Sequence, residues 1–480
     1  MGNLTKTRGA ALLGLALAVA PAGAATIHVS TTADEMLVDG NCSLREAVAA
    51  ANGDASFDAC EAGSGADTIE VPAGLYTIAL AGAQEDLGNT GDLDLLGPVT
   101  LQGAGAGSTI VDGGLLDRVF DVNPLSVVDS FSVTVSGMTL QHGKVADLTA
   151  MDGGCVASRG SLLLDAVVLD GCTAVRTTPS GAMPRGGGLF NAGTLHLQSS
   201  RISGSLADSA SFMDAGAGGG LYNLSTGVAT LVDSTISGNG AGRNDFTNGR
   251  GGGIYNAGGT VNLERCTVAG NRAGGQSPGS SYGGGIYNAS GSMALVNSTV
   301  SGNLSEGGIS FAGGIQTAGS AAVMTLVNCT VAWNATPDMN QSDNLALAGG
   351  GLTLRNTIVA GGPESCSGLS AANSLGHNLE SPGNLCGFAS TGDQVNVPAA
   401  ALALEALALN APGTTATHAL GAGSVAIGAA DSPACPATDQ RGVVRDAACD
   451  IGAFEWPPSI ALLADGFESG NLLEWSGSLR

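Results

Sequence analysis

The chain has 480 residues, 77 of them Gly; only 12% are charged and 4% aromatic, and 41 acids against 17 bases leave a net charge of −24. So few rings argue against a globular core built on Phe, Tyr and Trp. So negative a surface repels the phosphate backbones that nucleic-acid binders neutralise with Lys and Arg, which leaves cations or neutral extracellular glycans and surface polymers as partners.

Lys6 and Arg8 precede an apolar run over residues 10–20 and then Pro21-Ala22-Gly23-Ala24-Ala25. This is the pattern of a secretory signal over residues 1–25, cut near Ala24 or Ala25. No later stretch is an uninterrupted apolar run of membrane-spanning length, so the mature chain is expected to be secreted or held at the cell surface. Residues 26–32 alternate apolar and polar and predict a short strand. In NCSLREAVAAANG from Asn41, Ser43 can cap a helix with Glu46 three residues on, and Asn52-Gly53 ends it. Residues 26–66 are therefore expected to form an N-terminal cap with one short helix. Residues 67–131 carry short β-branched runs broken by Gly and Pro, which predict irregular first rungs of a stack.

The middle of the chain repeats. GGGLFN, GGGLYN, GGGIYN and GGGIYN start at Gly186, Gly218, Gly251 and Gly283, and degenerate copies extend the series both ways. A fixed period of this size means units that bury their apolar faces by stacking; residues 67–361 are predicted to be an all-β solenoid. In the unit from Gly251, Ile254 and Asn256 share one strand face, as do Val261 and Leu263, and Cys266 and Val268 follow a bend. RAGGQSPGSSY should loop outward. Stacking places like residues about 4.8 Å apart in columns. Asn191, Asn223, Asn256 and Asn288 form one Asn ladder; Asn239, Asn271, Asn303 and Asn334 form another. Phe190, Tyr222, Tyr255 and Tyr287 form an aromatic column on the opposite side of the strand from the first ladder. It is either an exposed ligand stripe or a packed column at a corner.

From Gly362 the period is lost. Residues 362–458 are expected to cap the open stack end, whose unpaired edges invite aggregation, and residues 459–480 to be an acidic tail. Ten cysteines in an exported chain read as disulfides. Proximity pairs Cys42 with Cys60, Cys366 with Cys386 and Cys435 with Cys449; Cys155 with Cys172 is a fourth candidate. Cys266 and Cys329 share a small-residue column with Ser234 and Ser298, two rungs and roughly 9–10 Å apart, beyond the reach of about 4.4–6.8 Å for a disulfide. Both are expected to be buried free thiols.

The two ends carry recognisable strings. NCSLREAV at Asn41, flanked by TIHVSTTADE and GADTIEVPAGLYTI, resembles the CSLREA-motif region of exported bacterial β-helix proteins. THALGAGSVAIGAADSPAC with DQRGVVRDAACDIGAFE resembles the choice-of-anchor module that ends many right-handed parallel β-helix proteins, although Ser424-Val425-Ala426-Ile427-Gly428 departs from the usual SPAID. The resemblance implies an exported right-handed parallel β-helix held at the surface, and it implies no activity.

No catalytic site is recognised. Glycoside hydrolysis needs two carboxylates across a groove, and the central repeats offer only Asp214, Asp233, Asp245, Glu264 and Glu306. Asp233 and Glu264 are near-equivalent on adjacent rungs with Arg265 beside them, and read as a solvated outer face. Asp165 and Asp170, with Asp152 nearby, could hold calcium only if three or more oxygens converge; no cofactor is otherwise expected. Asp92 and Asp94 read as exposed surface acids. His28, His142, His196, His377 and His418 have no partners at motif spacing, and His418 reads as packing. Gly279–Gly283 fits GxSxG formally, but outside the strand–turn–helix elbow that motif needs. The sequence points to adhesion or glycan contact, with an extracellular polysaccharide lyase or glycoside hydrolase using an outer-face groove as the alternative.

Overall fold

The computed structural model describes residues 23–456, except 84, 127–130, 147–149, 179–181, 210–214, 243–247, 276–278, 338–341 and 363. Most of the expected signal segment, the acidic tail, Asp214 and Asp245 lie outside the described residues.

The body is a right-handed parallel β-helix, the hand that strand twist imposes on parallel crossovers. Parallel sheets of 19, 11 and 6 strands run along it as three faces. One coil shows how the repeat makes them. Ile254–Glu264 lies in the first sheet, Thr267–Ala269 in the second and Arg272–Ala273 in the third. Each corner is a residue in the left-handed region: Gly251 at φ 59°, Arg265 at 54° and Gly270 at 64°. Between the third face and the next Gly corner the chain swings out, as the polar segment suggested, but it does not stay irregular. Ala215–Ala217, Asn248–Arg250, Ser280–Tyr282 and Ile309–Phe311 pair into a fourth parallel sheet outside the coil.

The three glycines of the repeated phrase do different work. Gly251 turns the corner with its positive φ. A Cβ on Gly252 would stand 2.4 Å from the backbone of Arg272, and one on Gly253 would stand 2.9 Å from the amide nitrogen of Asn271. The second glycine thus lets two faces meet, and the third makes room for a ladder. In that ladder Asn239, Asn271 and Asn303 each donate Nδ2–H to Oδ1 of the next Asn at 3.0, 2.9 and 2.9 Å, ending at Asn334, which continues to Asn344. Asn344 lies outside the repeat phrase and was not anticipated. In the other ladder Asn191, Asn223 and Asn256 reach Asn223, Asn256 and Asn288 at 2.8, 3.1 and 3.0 Å. All these amides are buried, so each bond satisfies a group whose burial would otherwise be costly.

Branched aliphatic residues fill the coil interior as one continuous core, from Ile27 and Val29 through Leu263 and Leu295 to Leu354. The N-terminal helix Leu44–Gly53 starts with a capping box in which Ser43 Oγ accepts from Glu46 N and Glu46 Oε2 accepts from Ser43 N. Arg45 is buried, pairs with Asp34 at 2.6 Å and donates to the carbonyls of Gly88, Gly91 and Asp92. The CSLREA string is therefore a disulfide cysteine, a cap and an anchoring guanidinium. Disulfides join Cys42–Cys60, Cys155–Cys172, Cys366–Cys386 and Cys435–Cys449. Cys266 and Cys329 are buried free thiols, which burial pushes up to about 12.

Coiling continues beyond the sequence repeat. Cys366–Ser367 extends the first sheet and Leu379–Ser381 the second. The chain then folds back along the outside of the second face. Gln440 of DQRG donates to the carbonyl of Cys266 and accepts from Thr299 Oγ1 at 2.7 Å. Asn297 donates to the carbonyl of Thr438, and Arg445, ion-paired with Glu455, donates to Asn297. Residues 399–456 thus brace the flank of several coils, as well as following the last one.

Candidate functional site

The aromatic column exists, and it is not an exposed stripe. Phe190, Tyr222, Tyr255 and Tyr287 are aligned on adjacent strands, with ring centres 5.7, 4.9 and 5.4 Å apart and near-parallel planes. They face out of the coil while Asn191, Asn223, Asn256 and Asn288 face in, yet Phe190, Tyr222 and Tyr255 are only 2%, 5% and 8% exposed. The cause is the outer sheet. Its Ala217 packs on the rings, Tyr282 lies 5.9 Å from Tyr287, and the Arg185 guanidinium sits 4.9 Å over Phe190. Alternation along the strand places the rings opposite the Asn ladder and leaves their exposure open; exposure depends on loop segments whose strand pairing no periodicity signals.

Among the described residues the most exposed of the large aromatics lies elsewhere. At the corner after the second face, successive coils carry His142, Gly171, Gly204, Gly238, Gly270, Gly302, Trp333 and Gly361, all at positive φ. Trp333 holds φ 51° where its neighbours are glycine, and its side chain is among the exposed large hydrophobics at 43%. Its ring covers Gly361 and meets the His418 ring edge-on at 4.4 Å. A groove of about 540 Å³ opens beside it, lined by Ala269, Gly270, Ser301 and Gly302 from the coils and by Leu404, Leu407 and His418 of the hairpin Leu404–Ala408/Thr417–Leu420. A Cβ on Gly270 or Gly302 would meet nothing within 4 Å, so the floor is open backbone. Such a size suits a small ligand or one or two units of a polymer.

His418 does more than fill space. Its Nδ1–H donates to the carbonyl of Glu405 at 2.8 Å, and its Nε2 accepts from Ser301 Oγ at 2.8 Å. Burial pulls it down to about 4, so the ring is neutral. A Ser–His contact invites comparison with acyl transfer, which also needs N–H groups free for an oxyanion. The adjacent N–H groups of Gly270 and Gly302 are spent on the carbonyls of Ser301 and Ala332, and the groove lining contains no carboxylate.

The acids named from sequence scatter. Asp233 is level with Arg265 and grips it in a bidentate pair at 2.8 and 2.9 Å, while Glu264 is level with Val232. Glu306 pairs with Arg272. Asp165 is exposed, Asp170 accepts from Ser203 Oγ, and Asp152 is buried against Arg185; the three do not converge. Asp92 and Asp94 are a correction, being 1% and 0% exposed. The strand Leu93–Leu95 is buried on both sides because the helix and the loop before the strand cover its outer face; Asn52 Nδ2 reaches the Asp94 carbonyl at 2.7 Å. Ser281 of the GxSxG match lies on strand Ser280–Tyr282, away from any helix. Of the remaining histidines, His28 pairs with Glu61, His142 with Asp112, and His377 bonds the Ala429 carbonyl.

Fold and groove together define a class, a flank-braced parallel β-helix protein with an apolar, carboxylate-free groove under the exposed Trp333. No family model matches the chain, and no curated protein matches it. Among solved structures, the crystal structure of pectate lyase Pel9A aligns with 90% of this chain and 96% of its own at 13% identity and a TM-score of 0.40. Among the described residues no helix is long and apolar enough to cross a membrane.

Proposed function

We propose that this is an exported, surface-associated β-helix protein that contacts a neutral extracellular glycan through the groove beside Trp333. The observation that carries the reading is Trp333 itself. A left-handed backbone costs a non-glycine residue roughly 1–2 kcal/mol, and six of the eight corners in this series use glycine, His142 being the other exception. An indole kept there half-exposed over a bare backbone floor is the arrangement a sugar ring needs: an aromatic face for its C–H groups and no side chain in the way. The net charge of −24 favours a neutral sugar over an acidic one. Export is supported by the signal-like first 25 residues and by four disulfides, and surface association by the resemblance of both ends to exported, anchored β-helix proteins.

The rival polysaccharide lyase or hydrolase would need carboxylates or cations converging on the ligand, and the groove lining supplies neither. A glycan array probed with purified mature protein, followed by incubation of retained glycans and measurement of chain length, tests the proposal. Retention of neutral glycans without shortening is expected. Absence of retention, or shortening of the chains, overturns it.

A further inference from the structure

The outward column that carries the four rings changes character toward the N-terminus. Above Phe190 comes Ala157, then Asp121, then Asp94, each directly aligned with the next. Two carboxylates thus stack on adjacent coils, an unfavourable pairing of like charge, in a place where neither is more than 2% exposed. Asp92 joins them, and one oxygen from each of Asp92, Asp94 and Asp121 lies within 4.8 Å of the others.

The guanidiniums nearby do not balance this charge. Arg118 bridges Asp92 at 3.0 Å and Asp121 at 2.5 Å, Arg159 holds Asp121 at 2.9 Å, and Arg185 holds Asp152 at 2.7 Å. With Asp94 and the buried Asp117, five carboxylates face three guanidiniums, which leaves two negative charges uncompensated. The deficit has an address. Among the described residues Asp94 has no cationic partner; its Oδ2 accepts from Gly88 N at 2.6 Å, and its Oδ1 is buried with no hydrogen-bond partner among them, as is Oδ2 of Asp117. An orphaned, fully buried carboxylate oxygen is rare enough to require a ligand or a proton.

We propose that Asp92, Asp94 and Asp121 bind a calcium ion, with Asp94 Oδ1 as the ligand atom that no protein group satisfies. The donor set is all hard oxygen with no His or Cys, which selects calcium over zinc or copper, and two charges match the deficit. The ion would tie the coils of Leu93–Leu95 and Phe120–Val122 to the loop folded under the N-terminal helix. The competing account is protonation: burial pushes Asp94 up to about 8 and raises Asp92 and Asp117 as well.

Calorimetric titration of calcium chloride into chelator-treated protein, with thermal unfolding in parallel, separates the two. One ion bound per chain and a raised Tm are expected, with affinity reduced by about tenfold or more in Asp94→Asn and unchanged in Asp165→Asn, an exposed acid outside the cluster. No calcium-dependent heat or Tm change, or binding indifferent to Asp94→Asn, overturns the proposal. Anomalous scattering from calcium-grown crystals of the unaltered protein supplies the second readout: a peak about 2.3–2.6 Å from the Asp94 and Asp121 oxygens supports it, and a peak only elsewhere refutes it.

Discussion

The Tyr222–Tyr255–Tyr287 column and the lone Trp333 make opposite use of aromatic rings. The tyrosines recur at the coil period, stack on one another and are closed over by an outer sheet. Trp333 occurs once, at a corner its neighbours fill with glycine, and stays half-exposed beside an open groove. A residue repeated at every coil is explained by what every coil must do, namely turn, stack and bury. One that breaks its column needs a local reason. The same contrast separates Asp94 and Asp121 from the rings that continue their column.

The largest expected effect comes from the tyrosines. Tyr255→Ala removes a buried ring stacked on both sides and should cost about 3–4 kcal/mol in denaturant unfolding; a loss below about 1 kcal/mol accompanied by lost glycan binding would show that the column is a ligand stripe after all. His418, beside Trp333, adds a pH test. Its folded value of about 4 lies below the unfolded value near 6.5, so the unfolded chain takes up the proton first. Stability is full above pH 6.5 and falls as pH drops toward 4, by up to about 3 kcal/mol. In His418→Gln that slope should disappear, and a slope that persists would place the acid sensitivity elsewhere.

On the reverse side of the Tyr255 strand, Asn256→Ala strips Asn288 and the carbonyls of Gly259 and Ser290 of their donor. A loss of about 2 kcal/mol is expected, and an unchanged unfolding midpoint would mean that the ladder is dispensable. Trp333→Gly should alter stability least, by about 1 kcal/mol in either direction, because relief of the left-handed strain offsets lost packing on Gly361. A loss of several kcal/mol would make Trp333 a structural residue like the tyrosines.

What could be read from sequence follows the same division. The coil, the repeated part of both Asn ladders, the helix cap and the free thiols depend on local chemistry or on the fixed period; GGGIYN with its trailing Asn carries the coil and the ladders, and Ser43 with Glu46 the cap. The burial of Asp92 and Asp94 depends on a helix some forty residues earlier, and the covering of the rings depends on loop strands with no pattern of their own. The groove forms only because residues near 404–420 return to coils more than 100 residues upstream, as in the contact of His418 with Ser301. A Trp in a glycine column was the available signal, legible only once the corner register is known.

The central claim is that the accessible ring, and not the repeated one, meets the ligand. Binding of a glycan retained by the unaltered protein should therefore be compared in Trp333→Gly and in Tyr255→Phe, with both shown folded by their Tm. The account predicts a loss of about tenfold or more in affinity for Trp333→Gly and none for Tyr255→Phe; undiminished binding by Trp333→Gly would contradict it.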